Sequence, residues 1–220
     1  DPIQYPILSR TAYPGAYAYL DQMKATILNS GNVTYKNEFA WELFIIHDDA
    51  IQNAFCTPGG YIYVYTGLIR YLDNATSLAG VMGHEIAHAD KRHSTNAMTK
   101  QYGISTLISI ALGENQNQLT DIAQSLVGLT FSRENESEAD KYSVKYLCPT
   151  LYRANGAAEF FSKIIAQGGQ QIPAFLSTHP NPDNRVDNIN AEATSLSCVG
   201  GGIPANSDIT EYNNFKAMLP

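Results

Sequence analysis

Two histidines four residues apart, with a glutamate directly after the first, stand out for chemistry in Gly83-His84-Glu85-Ile86-Ala87-His88. On an α-helix such histidines share a face, so both imidazoles can reach one cation. Glu85 is turned about 100° from His84, where it can act on a water at that cation without ligating it. This is half of a zinc hydrolase site; a catalytic zinc needs a third protein ligand and an open position. A third histidine on the same helix, in the pattern HExxHxxGxxH, is ruled out, because position 91 is Lys and position 94 is Ser. His93 falls nine residues after His84, on nearly the opposite face of a continuous helix, and reads as a surface or packing histidine. A carboxylate from a second helix is the other solution. Ser132-Arg133-Glu134-Asn135-Glu136-Ser137-Glu138-Ala139-Asp140 offers Glu136 and Asp140, four residues apart. Glu136 can ligate, while Asp140 accepts the free ring N–H of a ligand histidine and fixes its tautomer. Alone, this acidic run would read as the first turn of a helix complementing its dipole. Paired with HExxH, it reads as the missing ligand.

The elements that must position these residues follow from periodicity and punctuation. Pro14 to about Asn29 predicts an amphipathic helix. Phe39–His47, Asn53–Cys56 and Tyr61–Tyr65 read as strands of a small, largely antiparallel sheet, the last two joined by the turn Thr57-Pro58-Gly59-Gly60. The row Tyr61, Tyr63, Tyr65 is expected to pack against a helix. A short helical turn at Leu68–Leu72 precedes the HExxH helix, which is expected from about Ala75 to His93 with Asp73 or Asn74 as its cap. Residues 101–112 and 117–131 read as two further helices. Ser132 caps a helix from Arg133 to Leu147, and another spans Asn155–Gln167. Phe175–Asn181 reads as a loop, Pro182–Ser195 as a last helix, and the Gly-rich remainder as a tail. The expectation is one α+β domain over residues 1–220, mainly helical.

Composition narrows the partners. A net charge of −7 with no run of Lys or Arg argues against nucleic acid and anionic membranes. The nearest approach to a membrane span, Ile104–Leu112, is too short and carries two serines and a threonine. The chain opens at Asp1-Pro2 as a processed chain would, so a targeting or lipid-anchor segment is expected to have been removed. Of the three cysteines, Cys148 and Cys198 both fall just beyond predicted helix ends and can pair, which would place the protein in an oxidising compartment. Asn32, Asn74 and Asn135 each open a glycosylation sequon. A glycan at Asn135 would stand beside Glu136, which favours a bacterial source where sequons are silent.

HExxH followed by Ser132-Arg133, Glu136 and Ala139-Asp140 resembles the gluzincin metallopeptidases of the HtpX and CAAX-protease type, metallopeptidase family forty-eight. Asn53-Ala54-Phe55 with Pro58–Val64 and Thr66-Gly67-Leu68, the His88–His93 spacing, and Ser177-Thr178-His179-Pro180 with Arg185 are similar to further motifs of that family, from about residue 40 to 190. Cys56 and Cys148-Pro149-Thr150 depart from its usual pattern. The resemblance implies a zincin-like domain whose sheet packs on the HExxH helix, and one zinc ion per chain held by His84, His88 and Glu136. Glu85 would be the general base. His179 would lie near the metal, either donating to the oxyanion or blocking the open position as a fourth ligand. Arg185 would pair with Asp140 or Glu138, and Asn53, Ala54 and Phe55 would form an edge strand that pairs with extended polypeptide substrates. The expected activity is zinc-dependent hydrolysis of unfolded or misfolded envelope proteins, in the periplasm or on the envelope side of a membrane. The alternative is a non-catalytic holdase or assembly factor that uses the same strand.

Overall fold

A computed structural model describes residues 6–105, 130–167, 173–180, 184–198 and 203–220. The fold is mainly helical, with a three-stranded mixed sheet. Its helices are α1 (Pro14–Leu28), α2 (Thr66–Tyr71), α3 (Ala75–Asp90), α4 (His93–Tyr102), α5 (Arg133–Leu147), α6 (Gly156–Ala166), α7 (Phe175–Thr178), α8 (Arg185–Ser195) and α9 (Ala205–Lys216), with strands β1 (Leu43–Ile46), β2 (Ala54–Thr57) and β3 (Tyr61–Tyr65). The expected helices at 106–112 and 117–129 lie outside the described residues.

α3 is the centre of the molecule. All sixteen of its residues are buried, the signature of a helix surrounded by protein rather than lying on its surface. Asn74 caps it, its side chain accepting the Ser77 N–H at 2.8 Å. A second acceptor comes from far along the chain: the Asp208 carboxylate of α9 accepts the N–H groups of Ala75 and Thr76 at 2.8 and 3.3 Å. The α3–α6 crossing is backbone on backbone. A Cβ on Gly80 would stand 2.1 Å from the Ala157 nitrogen, and one on Gly156 would stand 2.2 Å from the Thr76 carbonyl oxygen, so only glycine permits this approach.

Several expectations are corrected. The HExxH helix ends at Asp90, not His93: Arg92 takes the left-handed conformation (φ 65°) and α4 restarts at His93. The sheet has the order β1-β3-β2, with β2–β3 antiparallel but β1–β3 parallel. β3 folds back between β2 and β1, and alternation of side chains encodes a strand's faces, not its direction. The supposed tail contains α9, whose Tyr212 and Phe215 are fully buried and whose Tyr212 hydroxyl donates to the Ile69 carbonyl at 2.7 Å. The segment read as a loop at 175–181 also contains a single helical turn, α7.

One face of the sheet (Leu43, Ile45, Ala54, Cys56, Ile62, Val64) joins the main core. On the other, the tyrosine row stacks across strands rather than on a described helix, with Tyr63 between Phe44 (5.1 Å) and Phe55 (4.7 Å). Cys148 at the end of α5 is bridged to Cys198 beyond α8, while Cys56 is free and buried.

Candidate metal centre

Four buried side chains converge: His84 and His88 from α3, Glu136 from α5, and His179 from the residue after α7. His84 Nε2 lies 2.9 Å from His88 Nε2 and 3.4 Å from Glu136 Oε2, and His88 Nε2 lies 3.3 Å from Glu136 Oε1. His179 Nδ1 closes the figure at 3.0 Å from Glu136 Oε1 and 3.3 Å from His84 Nε2. Ligand atoms placed about 2.0–2.1 Å from a tetrahedral cation are separated by about 3.3 Å. These separations, which involve both Glu136 oxygens, lie close to that value. The donor set, imidazole and carboxylate, suits a first-row divalent ion.

Glu85 stands beside this cluster and outside it. It is fully buried, both its oxygens lack a hydrogen-bond partner, and its Oε1 is 3.4 Å from His179 Nε2, itself unpartnered. Buried polar atoms without partners are costly, so this arrangement fits residues built to face a further polar group.

The surroundings separate the two α3 histidines. Burial opposes charge on His84, but Glu136 and Asp140 overcome it and carry its pKa up to about 9. Its Nδ1 is 2.8 Å from Asp140 Oδ1. Arg185, at the start of α8, donates to both Asp140 oxygens at 2.7 and 2.8 Å and to Glu136 Oε2 at 3.0 Å, and its guanidinium lies on the Phe161 ring at 3.8 Å. Arg185 thus meets Asp140 rather than Glu138. Burial dominates at His88 and pushes its pKa well below the usual value. Burial opposes ionisation of Glu136, yet His179 and His84 hold its pKa far below the ordinary carboxylate range. Burial raises that of Glu85.

His93 is the residue misread from spacing. It is buried, 3.1 Å from His88 Nδ1 and 3.0 Å from Glu138. The phase argument assumed a continuous helix, and the left-handed turn at Arg92 resets it. The signal in the sequence was the recurrence of histidine itself.

Asn53, Ala54 and Phe55 lie at the start of β2, an edge strand of the described sheet. The Asn53 carbonyl accepts from Tyr65, and Phe55 and Thr57 face Tyr63 and Tyr61. The backbone groups of Ala54 and Cys56 therefore point away from β3, on a strand whose residues 53–56 are themselves buried. The Asn53 side chain already takes the Ala54 N–H at 2.9 Å, and the Ser94 hydroxyl donates to the Cys56 carbonyl at 2.8 Å. The His179 segment is tied to the same strand: Phe175 N–H donates to the Gln52 carbonyl at 3.1 Å, and the Phe175 ring stacks on His179 at 4.1 Å.

Among curated proteins, the chain is 33% identical over 147 residues to the mitochondrial metalloendopeptidase OMA1 of Arabidopsis thaliana, covering 66% of this chain and 30% of that protein. It is 28% identical over 193 residues to the beta-barrel assembly-enhancing protease of Escherichia coli (81% and 39%) and 29% identical over 144 residues to the metalloprotease YcaL of the same organism (62% and 56%). The chain thus spans from under a third to just over half the length of these relatives. Residues 16–193, most of the chain and every side chain that converges here, match the pattern of the family described as Peptidase family M48, and the chain belongs to that family.

Proposed function

We propose that this chain is a zinc-dependent endopeptidase acting on unfolded polypeptide, with His84, His88 and Glu136 as the zinc ligands and Glu85 as the general base. The carrying observation is the convergence of the ligand atoms within 4.8 Å of one another, beside a buried carboxylate with no hydrogen-bond partner. A zinc ion there supplies Lewis acidity, polarising a scissile carbonyl and acidifying a water. Glu85, raised by burial, takes that water's proton and hands it to the leaving amine. Asp140, held by Arg185, keeps His84 in the tautomer whose Nε2 faces the metal. Extended substrate pairs with the outer side of β2 through the Ala54 carbonyl and the Cys56 N–H.

Of the two roles open to His179, the spacing favours the fourth ligand. Its Nδ1 lies 3.3 Å from His84 Nε2 and 3.0 Å from Glu136 Oε1, where it would compete with a reacting group, and its segment is bonded to Gln52 just before β2. The Cys148–Cys198 bridge favours an oxidising compartment. Together with the name of one bacterial relative, a beta-barrel assembly-enhancing protease, it supports action on envelope proteins in the periplasm. Among the described residues no helix is long and apolar enough to cross a membrane.

The test is cleavage of an unfolded model protein by the zinc-loaded chain, by Glu85→Gln, and after chelation. Glu85→Gln is expected to retain one zinc and to lose at least about 10²-fold in turnover. Equal cleavage by the variant would refute the mechanism. Binding of unfolded chains without cleavage by either protein would favour the holdase.

A further inference from the structure

The two α3 histidines are anchored by different means. His84 meets a carboxylate directly through Asp140. His88 turns its Nε2 toward His84 and Glu136, and its Nδ1 points away from them, 3.1 Å from His93 Nδ1. His93 in turn presents its Nε2 to Glu138 Oε2 at 3.0 Å. We propose that His93 and Glu138 form a two-link orienting chain for His88, which makes His93 a positioning residue of the metal centre. The proposal rests on the reading of His84, His88 and Glu136 as ligands.

The chain has one self-consistent proton arrangement. An imidazole that ligates through Nε2 carries its proton on Nδ1, so His88 donates and His93 Nδ1 must accept. The His93 proton then sits on Nε2 and is donated to the Glu138 carboxylate. The Phe131 ring, stacked on His88 at 3.9 Å, fixes the plane of that imidazole but offers no acceptor for its N–H. The backbone is shaped for the contact: α3 stops at Asp90, and the left-handed Arg92 swings His93 back onto the histidine five residues before it. Glu138 is about half exposed (49%), whereas Asp140 is nearly covered (7%). The His88 chain thus ends at the solvent and the His84 chain ends on a buried arginine.

The experiment measures zinc affinity by competition with a chelator, and the visible absorption of the cobalt-substituted protein. His93→Phe is expected to weaken zinc binding about 10–100-fold and to shift the cobalt bands. His93→Asn, which keeps an acceptor near Nδ1, restores affinity to within a few-fold. Wild-type affinity and spectrum in His93→Phe would overturn the proposal. Should His93→Phe fail to fold, Glu138→Ala decides in its place: at least a threefold loss supports the chain, and unchanged binding refutes it. His84→Ala is the control for the underlying reading. If it binds zinc as wild type does, the ligand assignment fails, independently of His93.

Discussion

Three of the four converging side chains sit on long, packed helices, and the fourth sits at the end of a single helical turn. α3 and α5 are sixteen and fifteen residues long and lock together through the close approach of Gly83 to Ser143 and through buried ion pairs. α7 has four residues and is held by ring stacking and a backbone hydrogen bond to Gln52. Close packing with paired charges makes a region open only with the whole protein, whereas a short turn with few anchors opens locally. The difference separates a cradle of long packed helices from a short strap with few anchors. A peptidase site needs both: a cradle that keeps its geometry when substrate arrives, and an element that gives way to admit it.

The sharpest way to break this contrast is to cut the cradle. Arg185→Met leaves Asp140 and Glu136 buried beside each other without their shared cation. The expected loss is about 3–5 kcal/mol of folding stability, read by urea unfolding. A loss under about 1 kcal/mol would mean that the cradle is no more fixed than the strap.

A smaller effect concerns the proton on His84. Its folded pKa, about 9, lies above the ordinary value of 6.5. The charged form therefore adds stability that is complete below about pH 6.5 and is lost as pH rises through about 9. Unfolding free energies of the metal-free protein should fall by on the order of 3 kcal/mol between these limits. Zinc requires the neutral ring, so the loaded protein should not show this fall, and equal pH slopes in the two forms would argue against His84 as a ligand.

The smallest expected effect on metal affinity belongs to the strap. His179→Ala should retain one zinc with less than a tenfold loss in affinity, because three protein ligands suffice. It should raise the cleavage rate if the strap blocks the site. A metal-free His179→Ala protein would place His179 in the cradle.

Much of the cradle was legible in the residues. Four-residue spacing put His84 with His88 and Glu136 with Asp140, because an unbroken helix converts sequence separation into direction. The same rule failed at His93, where neither glycine nor proline announces the left-handed turn at Arg92. The strap was legible only through its likeness to a family motif. Nothing in Phe175–Pro180 has a period long enough to place His179. The parallel β1–β3 pairing and α9 were missed for a related reason. Direction across a sheet and the docking of a largely polar helix are decided by partners far away in sequence.

Asp208 extends that last point to the order in which the chain is made. The helix that carries both histidines and Glu85 relies for part of its N-terminal hydrogen bonding on a carboxylate that lies 133 residues after Ala75. Between the addition of residues 185 and 208, every group of the candidate centre is present, yet its central helix begins with two N–H groups awaiting their acceptor. The full N-terminal hydrogen bonding of that helix therefore waits until residue 208 has been added.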